Sequence, residues 1–227
     1  LKTYRPEPTA RQSVLDELGL PQKTLLIGLI ARFHPQKDHL NFIQSASMLS
    51  RDISNAHFLL CGKGITWDNQ KLNEWITDTG IGNRFHLLGH RNDTPRLNAA
   101  LDIASSSAAY GEGFPNNISE AMSCKTPCVA TNVGDSAIIV GDTGKIVSPK
   151  DPIQLKEAWQ TLVKIGPEGR SQMGVNARKR IEKHFALSTS VERYQNLYKN
   201  NLEKHGMLFR ALGVRLDHSR CLPRRTS

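Results

Sequence analysis

Short apolar runs alternate with amphipathic segments along most of the chain, and this alternation restricts the possible folds more than any other feature. Six apolar runs have the length of β-strands and lie at residues 24–32, 56–62, 84–89, 101–107, 127–131 and 144–148. The segments between them space apolar residues as helices do, as in Leu40, Ile43 and Met48. A strand followed by a helix, repeated about five times with short connections, predicts an α/β fold with a parallel sheet and helices on both faces.

The same pattern divides the chain into three parts. Residues 1–21 form a linker and a first helix, with Thr9 as the expected N-cap residue and Gly19 as the end of the helix. Residues 22–204 hold the sheet and, after the last strand, the helical segments that close the domain. Residues 205–227 carry five arginines against one aspartate and form a basic tail, which we expect to be disordered in solution.

The composition is typical of a globular domain rather than a disordered or membrane-spanning chain. Of 227 residues, 38% are hydrophobic and 22% are charged. The longest apolar run, Leu25–Ala31, is far shorter than the roughly 20 residues that a membrane span needs. No basic and apolar leader opens the chain, so we expect no signal peptide. The cysteines lack zinc-site spacing, and free thiols at Cys61, Cys124, Cys128 and Cys221 would suit a reducing cytoplasm.

The chain is strongly basic, with 30 Lys and Arg residues against 21 Asp and Glu residues and a net charge of +9. Such a balance favours anionic partners, for example nucleotide phosphates, acidic lipid headgroups or nucleic acid. Nucleic acid is disfavoured, because aromatic residues make up only 6% of the chain and are not interleaved with the basic ones.

Two cations follow the first predicted strand, where a parallel sheet is expected to bind its ligand. Ligands of such sheets bind outside the carboxyl ends of the strands. Arg32 ends the strand, and Lys37 lies at the start of the next helix. A guanidinium and an ammonium at this spacing can converge on one diphosphate. Spacing alone leaves the alternative equally open that both are solvated surface charges.

The loop after the fourth predicted strand and the helix that follows it carry two carboxylates, Glu112 and Glu120. Glu112 lies between two glycines, Pro115 sets a turn, and Asn116 and Asn117 are good N-cap residues for the helix. Backbone amides at this helix start can hold phosphate, whereas carboxylates accept hydrogen bonds from sugar hydroxyls. A nucleotide sugar fits this layout, because it has phosphates in the middle and hydroxyls at both ends.

Two structural alternatives stay open for these strand-end residues. Asn117 and Glu120 have the spacing of a capping box, in which Glu120 would only stabilise the start of its helix. His90 and Arg91 follow Gly89, which ends the third predicted strand. A single histidine at such a position is more often solvated or structural than catalytic.

A known protein family shares five segments of this chain in the same order: IARFHPQKDHLNFIQSA, FLLCGKG, FHLLGHRNDTPRLNAALDIASSS, YGEGFPNNISEAMSCKTPCVATNVGDSA and TGKIVSPKDP. The chain resembles the C-terminal, donor-binding domain of retaining glycosyltransferases of group 1, also called family four. Their GT-B architecture consists of two facing Rossmann-like domains. The resemblance covers about residues 22–200, and its most specific element is the glutamate pair with the upstream arginine and lysine.

The resemblance implies a role for each matching position. Glu112 would be the catalytic residue and would contact hydroxyls of the transferred sugar. Arg32 and Lys37 would hold the diphosphate, and the loop backbone would meet phosphate and sugar. Glu120 would bind the ribose hydroxyls, and the turn from Leu88 to Arg91 would border the nucleobase. The implied donor-binding residues are therefore Arg32, Lys37, Leu88, Arg91, Gly113, Phe114, Pro115, Asn116, Asn117 and Glu120.

The resemblance also implies the reaction and its surroundings. The chain would transfer a sugar from a nucleoside-diphosphate sugar, with UDP as the first choice, to a glycan or lipid-linked acceptor, without a metal or another cofactor. Many family members serve bacterial surface polysaccharide or lipopolysaccharide synthesis at the cytoplasmic face of the plasma membrane. An anionic membrane surface, reached by the basic tail, is therefore an expected partner. The N-terminal acceptor domain is not in this sequence, so we expect the chain to bind donor but to transfer little by itself.

Two hypotheses from other function classes compete with that of a glycosyltransferase. An NAD-dependent oxidoreductase would need a Gly-x-Gly-x-x-Gly turn after the first strand, but the segment from Arg32 to Lys37 contains no glycine. A non-catalytic nucleotide-sugar-binding or scaffold domain remains the alternative, because such a protein would need only the donor half of the enzyme.

Overall fold

A computed structural model of the chain describes residues 1–186, 189, 191 and 194–201. In these residues six strands form a fully parallel sheet in the order β3-β2-β1-β4-β5-β6. The strands are β1 (Leu25–Ile30), β2 (Ala56–Cys61), β3 (Phe85–Leu87), β4 (Ile103–Ser106), β5 (Cys128–Thr131) and β6 (Lys145–Val147). This order is Rossmann-like and confirms the predicted α/β fold.

The helices around the sheet are α1 (Ala10–Glu17), α2 (His39–Asp52), α3 (Gln70–Thr77), α4 (Thr94–Ala100), α5 (Asn116–Ser123), α6 (Ser136–Val140), α7 (Pro152–Lys164) and α8 (Gly166–His184). Helix α2 packs against α3 and α7, whereas α4 packs against α1 and α5. The sequence pattern predicted these helices except for the short α6, which has too few residues to show a helical period.

The central strands are buried on both faces, as continuous apolar runs predict. Along β1, alternate side chains face opposite sides of the sheet. Ile27 belongs to the core that includes Phe42, Phe58 and Trp159, while Leu26 is also fully buried. The ring of Phe42 lies 5.0 Å from that of Trp159 and 6.1 Å from that of Phe58, both in edge contacts. This core fixes the sheet beneath the loops that follow its strands.

Ion pairs tie α1 to the sheet and to α4. Arg11 Nη1 lies 2.8 Å from Asp102 Oδ2, just before β4. Glu17 accepts hydrogen bonds from Arg91 at 2.7 Å and from Arg96 at 2.5 Å. The first helix is therefore packed against α4 and joined through Arg11 to the residue before β4.

The chain divides into two compact units, Leu1–Lys183 and His184–Ser227. The first contains the whole sheet, and in the second residues 194–201 are helical. The three-part division expected from the sequence stays a prediction, and the basic tail at 205–227 lies outside the described residues. Within the described part of the chain, no helix is both long and apolar enough to cross a membrane.

The two predicted signals for the ends of α1 have different outcomes. Thr9 occupies the N-cap position, as predicted, but its side chain makes no capping hydrogen bond. Its φ of −90° and ψ of −10° are helical, whereas a capping side chain needs an extended backbone. Gly19 has a φ of +65° just past the C-cap residue, which confirms the predicted glycine end of the helix.

The cysteines of the described residues are buried and free, as predicted. Burial raises the pKa of Cys61 to about 11 and that of Cys124 to about 12, and it also raises the pKa of Cys128. Thiols with such pKa values stay protonated and unreactive near neutral pH. The fourth cysteine, Cys221, lies outside the described residues.

Lys125 gives a prediction for stability. It is an exposed residue just after α5 with a φ of +64°, a backbone conformation that costs a residue with a Cβ roughly 1 kcal/mol or more. Lys125→Gly should raise the free energy of unfolding by about 0.5–1 kcal/mol, after the larger unfolded-state entropy of glycine is subtracted. Lys125→Ala keeps the Cβ and should gain nothing. Equal urea-unfolding free energies for the two variants would contradict the prediction.

His39, the first residue of α2, gives a prediction for pH dependence. Its side chain is 2% exposed and packs against Phe33 with the rings 5.4 Å apart. Neither ring nitrogen makes a hydrogen bond of ordinary geometry among the described residues, and the nearby Ala31 backbone offsets only part of the effect of burial on the pKa. Burial lowers the pKa of His39 to about 4. The folded chain therefore holds this imidazole neutral at pH values where an exposed histidine is charged.

Because the pKa is lower in the folded state, the unfolded chain binds the proton first, and stability falls as the pH drops below about 6.5. The loss attributable to His39 approaches its full size, on the order of 3 kcal/mol, near pH 4. His39→Leu should therefore unfold in urea with a weaker pH dependence than the unchanged protein. His57 and His86 titrate in both proteins, so the difference between the two curves isolates His39. Parallel curves from neutral pH to about pH 4.5 would refute the prediction.

Candidate functional site

The loops after β1 and β4 lie side by side, because the strand order reverses between these two strands. Three hydrogen bonds join them. The Ser107 hydroxyl donates to the Lys37 carbonyl at 2.8 Å, and the Ala109 N–H donates to the Gln36 carbonyl at 2.8 Å. The Gln36 side-chain amide donates to the Gly111 carbonyl at 2.7 Å. The two loops therefore form one framework, on which the predicted site residues stand.

An ion pair between Lys37 and Glu112 crosses this framework. Lys37 Nζ donates to Glu112 Oε1 at 2.5 Å, and the two side chains are only 17% and 7% exposed. The sequence predicted both residues for one site but not their pairing. A carboxylate oxygen engaged in this way orders the Glu112 side chain and leaves the second oxygen as an acceptor for a ligand hydroxyl.

Arg32, by contrast, is exposed and has no hydrogen bond or ion pair within the described residues. It stands two residues beyond the end of β1, in the extended loop that precedes a short 3-10 turn at Pro35–Lys37. Because Lys37 is already neutralised by Glu112, Arg32 supplies the uncompensated positive charge of this loop. Its availability fits the predicted diphosphate contact, which remains a prediction.

Residues at the end of β5 and just after it contact and support the loop that carries Glu112. Gly134 has a φ of +56°, and a Cβ there would lie 2.2 Å from the Glu112 carbonyl oxygen. The Asp135 N–H donates to the Gly113 carbonyl at 2.9 Å, and the Thr131 hydroxyl donates to the Ala108 carbonyl at 2.7 Å. Sequence reasoning missed these supports. The glycine just past a strand end was the one local signal for them.

The helix that carries Glu120 starts one residue earlier than the N-cap prediction requires. Pro115 is the N-cap residue, and Asn116 and Asn117 are already inside α5, so their predicted capping role is wrong. Pro115 has φ −72° and ψ 99°, and the helix follows it without a side-chain cap. The first amides of α5 therefore have no intrahelical acceptor and point their N–H groups toward any anion bound there.

The capping-box alternative for Glu120 is wrong for the same reason. Asn117 lies within the helix, and its Oδ1 is buried without a hydrogen-bond partner in the described part of the chain. Glu120 is half-buried, and burial raises its pKa, while an interaction with the Tyr4 hydroxyl partly offsets the rise. Tyr4 was not among the predicted site residues, since no local pattern connects it with α5.

The turn from Leu88 to Arg91 is ordered by backbone hydrogen bonds at the end of β3. The Gly62 N–H donates to the Gly89 carbonyl, and the Gly89 N–H donates to the Ile65 carbonyl, both at 2.8 Å. Since β3 lies two strands from β1, this turn is about 10 Å from the Arg32 loop, a distance that a nucleotide can span. The structure brings it to the same edge of the sheet, without direct contact to the Lys37–Glu112 pair among the described hydrogen bonds and ion pairs.

Arg91 is not a free cation. It lies 2.8 Å from Asp93 and 2.7 Å from Glu17, and its guanidinium lowers the pKa of Asp93 to about 2. Its charge is therefore used to hold α1 near α4, and a part in base binding stays a prediction. No group of three or more His, Cys, Asp or Glu side chains suited to a metal occurs in residues that the structure describes.

Comparison with known sequences gives a family and a set of distant relatives. A family model described as "Glycosyl transferases group 1" matches residues 11–180. UDP-Gal:alpha-D-GlcNAc-diphosphoundecaprenol alpha-1,3-galactosyltransferase of Escherichia coli is 27% identical over 186 residues, which cover 80% of this chain and 47% of that protein. The chain spans about half the length of the curated relatives it matches.

Solved structures share the fold. The crystal structure of Anabaena HepE in complex with UDP and glucose has a TM-score of 0.76 and 23% identity, covering 87% of this chain and 54% of that chain. The C-terminal domain of LpcC, a glycosyl transferase group 1 family protein of Francisella tularensis, has a TM-score of 0.70 and 21% identity. That match covers 82% of this chain and 97% of the LpcC domain.

The Lys37–Glu112 pair gives a prediction that a double-mutant cycle can test. Lys37→Met or Glu112→Gln leaves one mostly buried charge or polar group unpaired, so each should lower the free energy of unfolding by about 2–3 kcal/mol. The double variant should lose less than the sum, with a coupling energy of about 1–2 kcal/mol.

The Lys156–Asp52 pair is the matched control, because its atoms lie 3.0 Å apart but its side chains are 22% and 48% exposed. The same cycle there should give a coupling energy below about 1 kcal/mol. If urea unfolding gives equal coupling for the two pairs, the Lys37–Glu112 contact does not order the site in the way described.

Proposed function

The chain belongs to the group 1 glycosyl transferases, and we propose that its sheet unit is the donor-binding half of a retaining enzyme of the GT-B type. It binds a nucleoside-diphosphate sugar, with UDP as the nucleotide, and the sugar passes to a glycan or lipid-linked acceptor. The observation that carries the proposal is the joined pair of loops at the strand-order reversal, with Arg32 exposed and Glu112 fixed by Lys37.

The diphosphate is held by positive charge from two directions. Arg32 approaches from the loop after β1, and the free N–H groups at the start of α5 approach from the loop after β4. When the bond between the anomeric carbon and the diphosphate oxygen breaks, the diphosphate leaves with the electron pair and gains negative charge. Fixed positive charge beside it lowers the energy of this state. These groups let the reaction proceed without a divalent metal.

Carboxylates hold the two hydroxyl-bearing ends of the donor. Glu112 accepts hydrogen bonds from the transferred sugar, because Lys37 fixes one of its oxygens and leaves the other open. Glu120 accepts from the ribose hydroxyls, and the turn from Leu88 to Arg91 borders the base. The acceptor hydroxyl then bonds to the anomeric carbon on the face that the diphosphate left, and its proton passes to the oxygen of the departing diphosphate.

The choice of UDP and of a lipid-linked acceptor is supported by relatives. The Escherichia coli relative is named for UDP-Gal and a diphosphoundecaprenol acceptor, and Anabaena HepE is in complex with UDP and glucose. We extend these to a role in bacterial surface polysaccharide or lipopolysaccharide synthesis at the cytoplasmic face of the membrane. The chain covers 47% and 44% of two of the curated relatives. We propose that the acceptor site belongs to the part of their length outside this match, so that the chain alone binds donor and transfers little.

Calorimetric titration of UDP tests the proposal. The chain should bind UDP equally well with and without EDTA, and should bind neither NAD nor single-stranded DNA. Arg32→Ala should weaken UDP binding about 10- to 100-fold, because it removes an uncompensated cation from the loop after β1. Arg51→Ala is the control, since Arg51 is an exposed arginine in the last turn of α2.

The outcomes separate the alternatives. Loss of UDP binding on adding EDTA would contradict metal-free binding, and tighter binding of NAD would favour an oxidoreductase. Equal UDP affinity in the Arg32→Ala and Arg51→Ala variants would show that Arg32 is a solvated surface charge with no part in UDP binding.

A further inference from the structure

Tyr4 is anchored in a segment that is otherwise open to solvent. In residues 1–9, before α1, only Tyr4 and Pro6 are partly buried, and the others are exposed. The Tyr4 hydroxyl lies 2.9 Å from Oγ1 of Thr94, the first residue of α4. It also lies beside the Glu120 carboxylate of α5, against which α4 packs. Three elements distant in sequence therefore meet at this phenol.

The chemistry of the groups favours one direction for the hydrogen bond between Tyr4 and Thr94. A phenol has one proton, and a bond to a charged acceptor is stronger than a bond to a neutral hydroxyl. With the Thr94 hydroxyl as the donor in the 2.9 Å bond, the Tyr4 proton is free to turn toward the nearby Glu120 carboxylate. Burial alone raises the pKa of Glu120, and the Tyr4 hydroxyl acts against this rise. A carboxylate has about four acceptor positions, so Glu120 keeps acceptors free for a ligand.

We propose that Tyr4 is a positioning residue, which orients the Glu120 carboxylate for the ribose hydroxyls and links the segment before α1 to donor binding. This inference rests on the proposed function of the site. With its side chain held before the ligand arrives, Glu120 loses less rotamer freedom on binding. Without the Tyr4 hydroxyl, the carboxylate must be ordered by the ligand, and affinity falls most for ligands that use the ribose hydroxyls.

The test compares UDP with 2′-deoxy-UDP, which lacks one ribose hydroxyl, by calorimetric titration of the full chain. The unchanged protein should prefer UDP by about tenfold or more. Tyr4→Phe keeps the ring and removes the hydroxyl, and it should weaken UDP binding about five- to tenfold with a smaller effect on 2′-deoxy-UDP. The ratio of UDP affinity to 2′-deoxy-UDP affinity should therefore fall. Thr94→Val, which removes the other hydroxyl, should narrow it in the same direction.

Two further variants show whether the effect passes through Glu120. Glu120→Gln should narrow the preference by itself, and adding Tyr4→Phe to it should change the ratio no further. Tyr198→Phe removes a phenol hydroxyl from a residue that is 66% exposed, and should leave both affinities unchanged. Thermal melting of each variant identifies any loss of folding.

Each outcome decides the inference. An unchanged ratio in a folded Tyr4→Phe variant, or tighter UDP binding, would overturn the role of Tyr4 while leaving the proposed function intact. Failure of the unchanged protein to bind either nucleotide would overturn the proposed function and this inference with it. The positioning role of Tyr4 would be established by two results together. The ratio of UDP affinity to 2′-deoxy-UDP affinity falls in Tyr4→Phe and in Thr94→Val, and adding Tyr4→Phe to Glu120→Gln lowers it no further.

Discussion

The Lys37–Glu112 ion pair connects the two loops that carry most of the proposed donor contacts. Both side chains are mostly buried, so water compensates their charges only weakly and each side chain stabilises the other. The pair can form because β1 and β4 are neighbours in the sheet although they are distant in sequence. Hydrogen bonds from Ser107 and Gln36 also join these two loops, and Gly134 lies against the backbone of the Glu112 loop. Sheet order thus determines whether the site exists.

Much of this arrangement could be predicted from sequence, because strand and helix periods and the rule that ligands bind at strand ends are local or topological. Arg32, Lys37 and Glu112 were predicted in this way to lie in neighbouring loops, and their part in ligand binding stays a prediction. The pairing of Lys37 with Glu112 and the approach of Tyr4 to Glu120 could not be predicted, since they depend on packing between elements distant in sequence. The N-cap prediction for Asn116 and Asn117 failed because residue preferences are weak and the turn at Pro115 decides where α5 begins.

The charge balance also has a structural meaning that composition does not reveal. A net charge of +9 favours anionic ligands, but many arginines are paired inside the unit. Asp102 bonds to both Arg11 and Arg170, while Glu17 and Asp93 neutralise Arg91 and its neighbour on α4. These pairs attach α1 and α8 to the amino edge of the sheet and α1 to α4. A cation at the carboxyl ends of the strands, such as Arg32, is therefore better judged by its lack of partners in the described residues than by the total charge.

The strand order has a consequence for synthesis on the ribosome. When β1, β2 and β3 have left the ribosome, β1 can pair with β2 on one side, but its other edge stays unpaired until β4 is made. At roughly 5–20 residues per second, that edge stays open for roughly 4–15 s while the chain from Ile30 to Ile103 is made. β1 is apolar along its whole length, and an open apolar edge is a template for pairing with other chains. The nascent protein is thus most exposed to misassembly just before the two loops of the proposed site can meet.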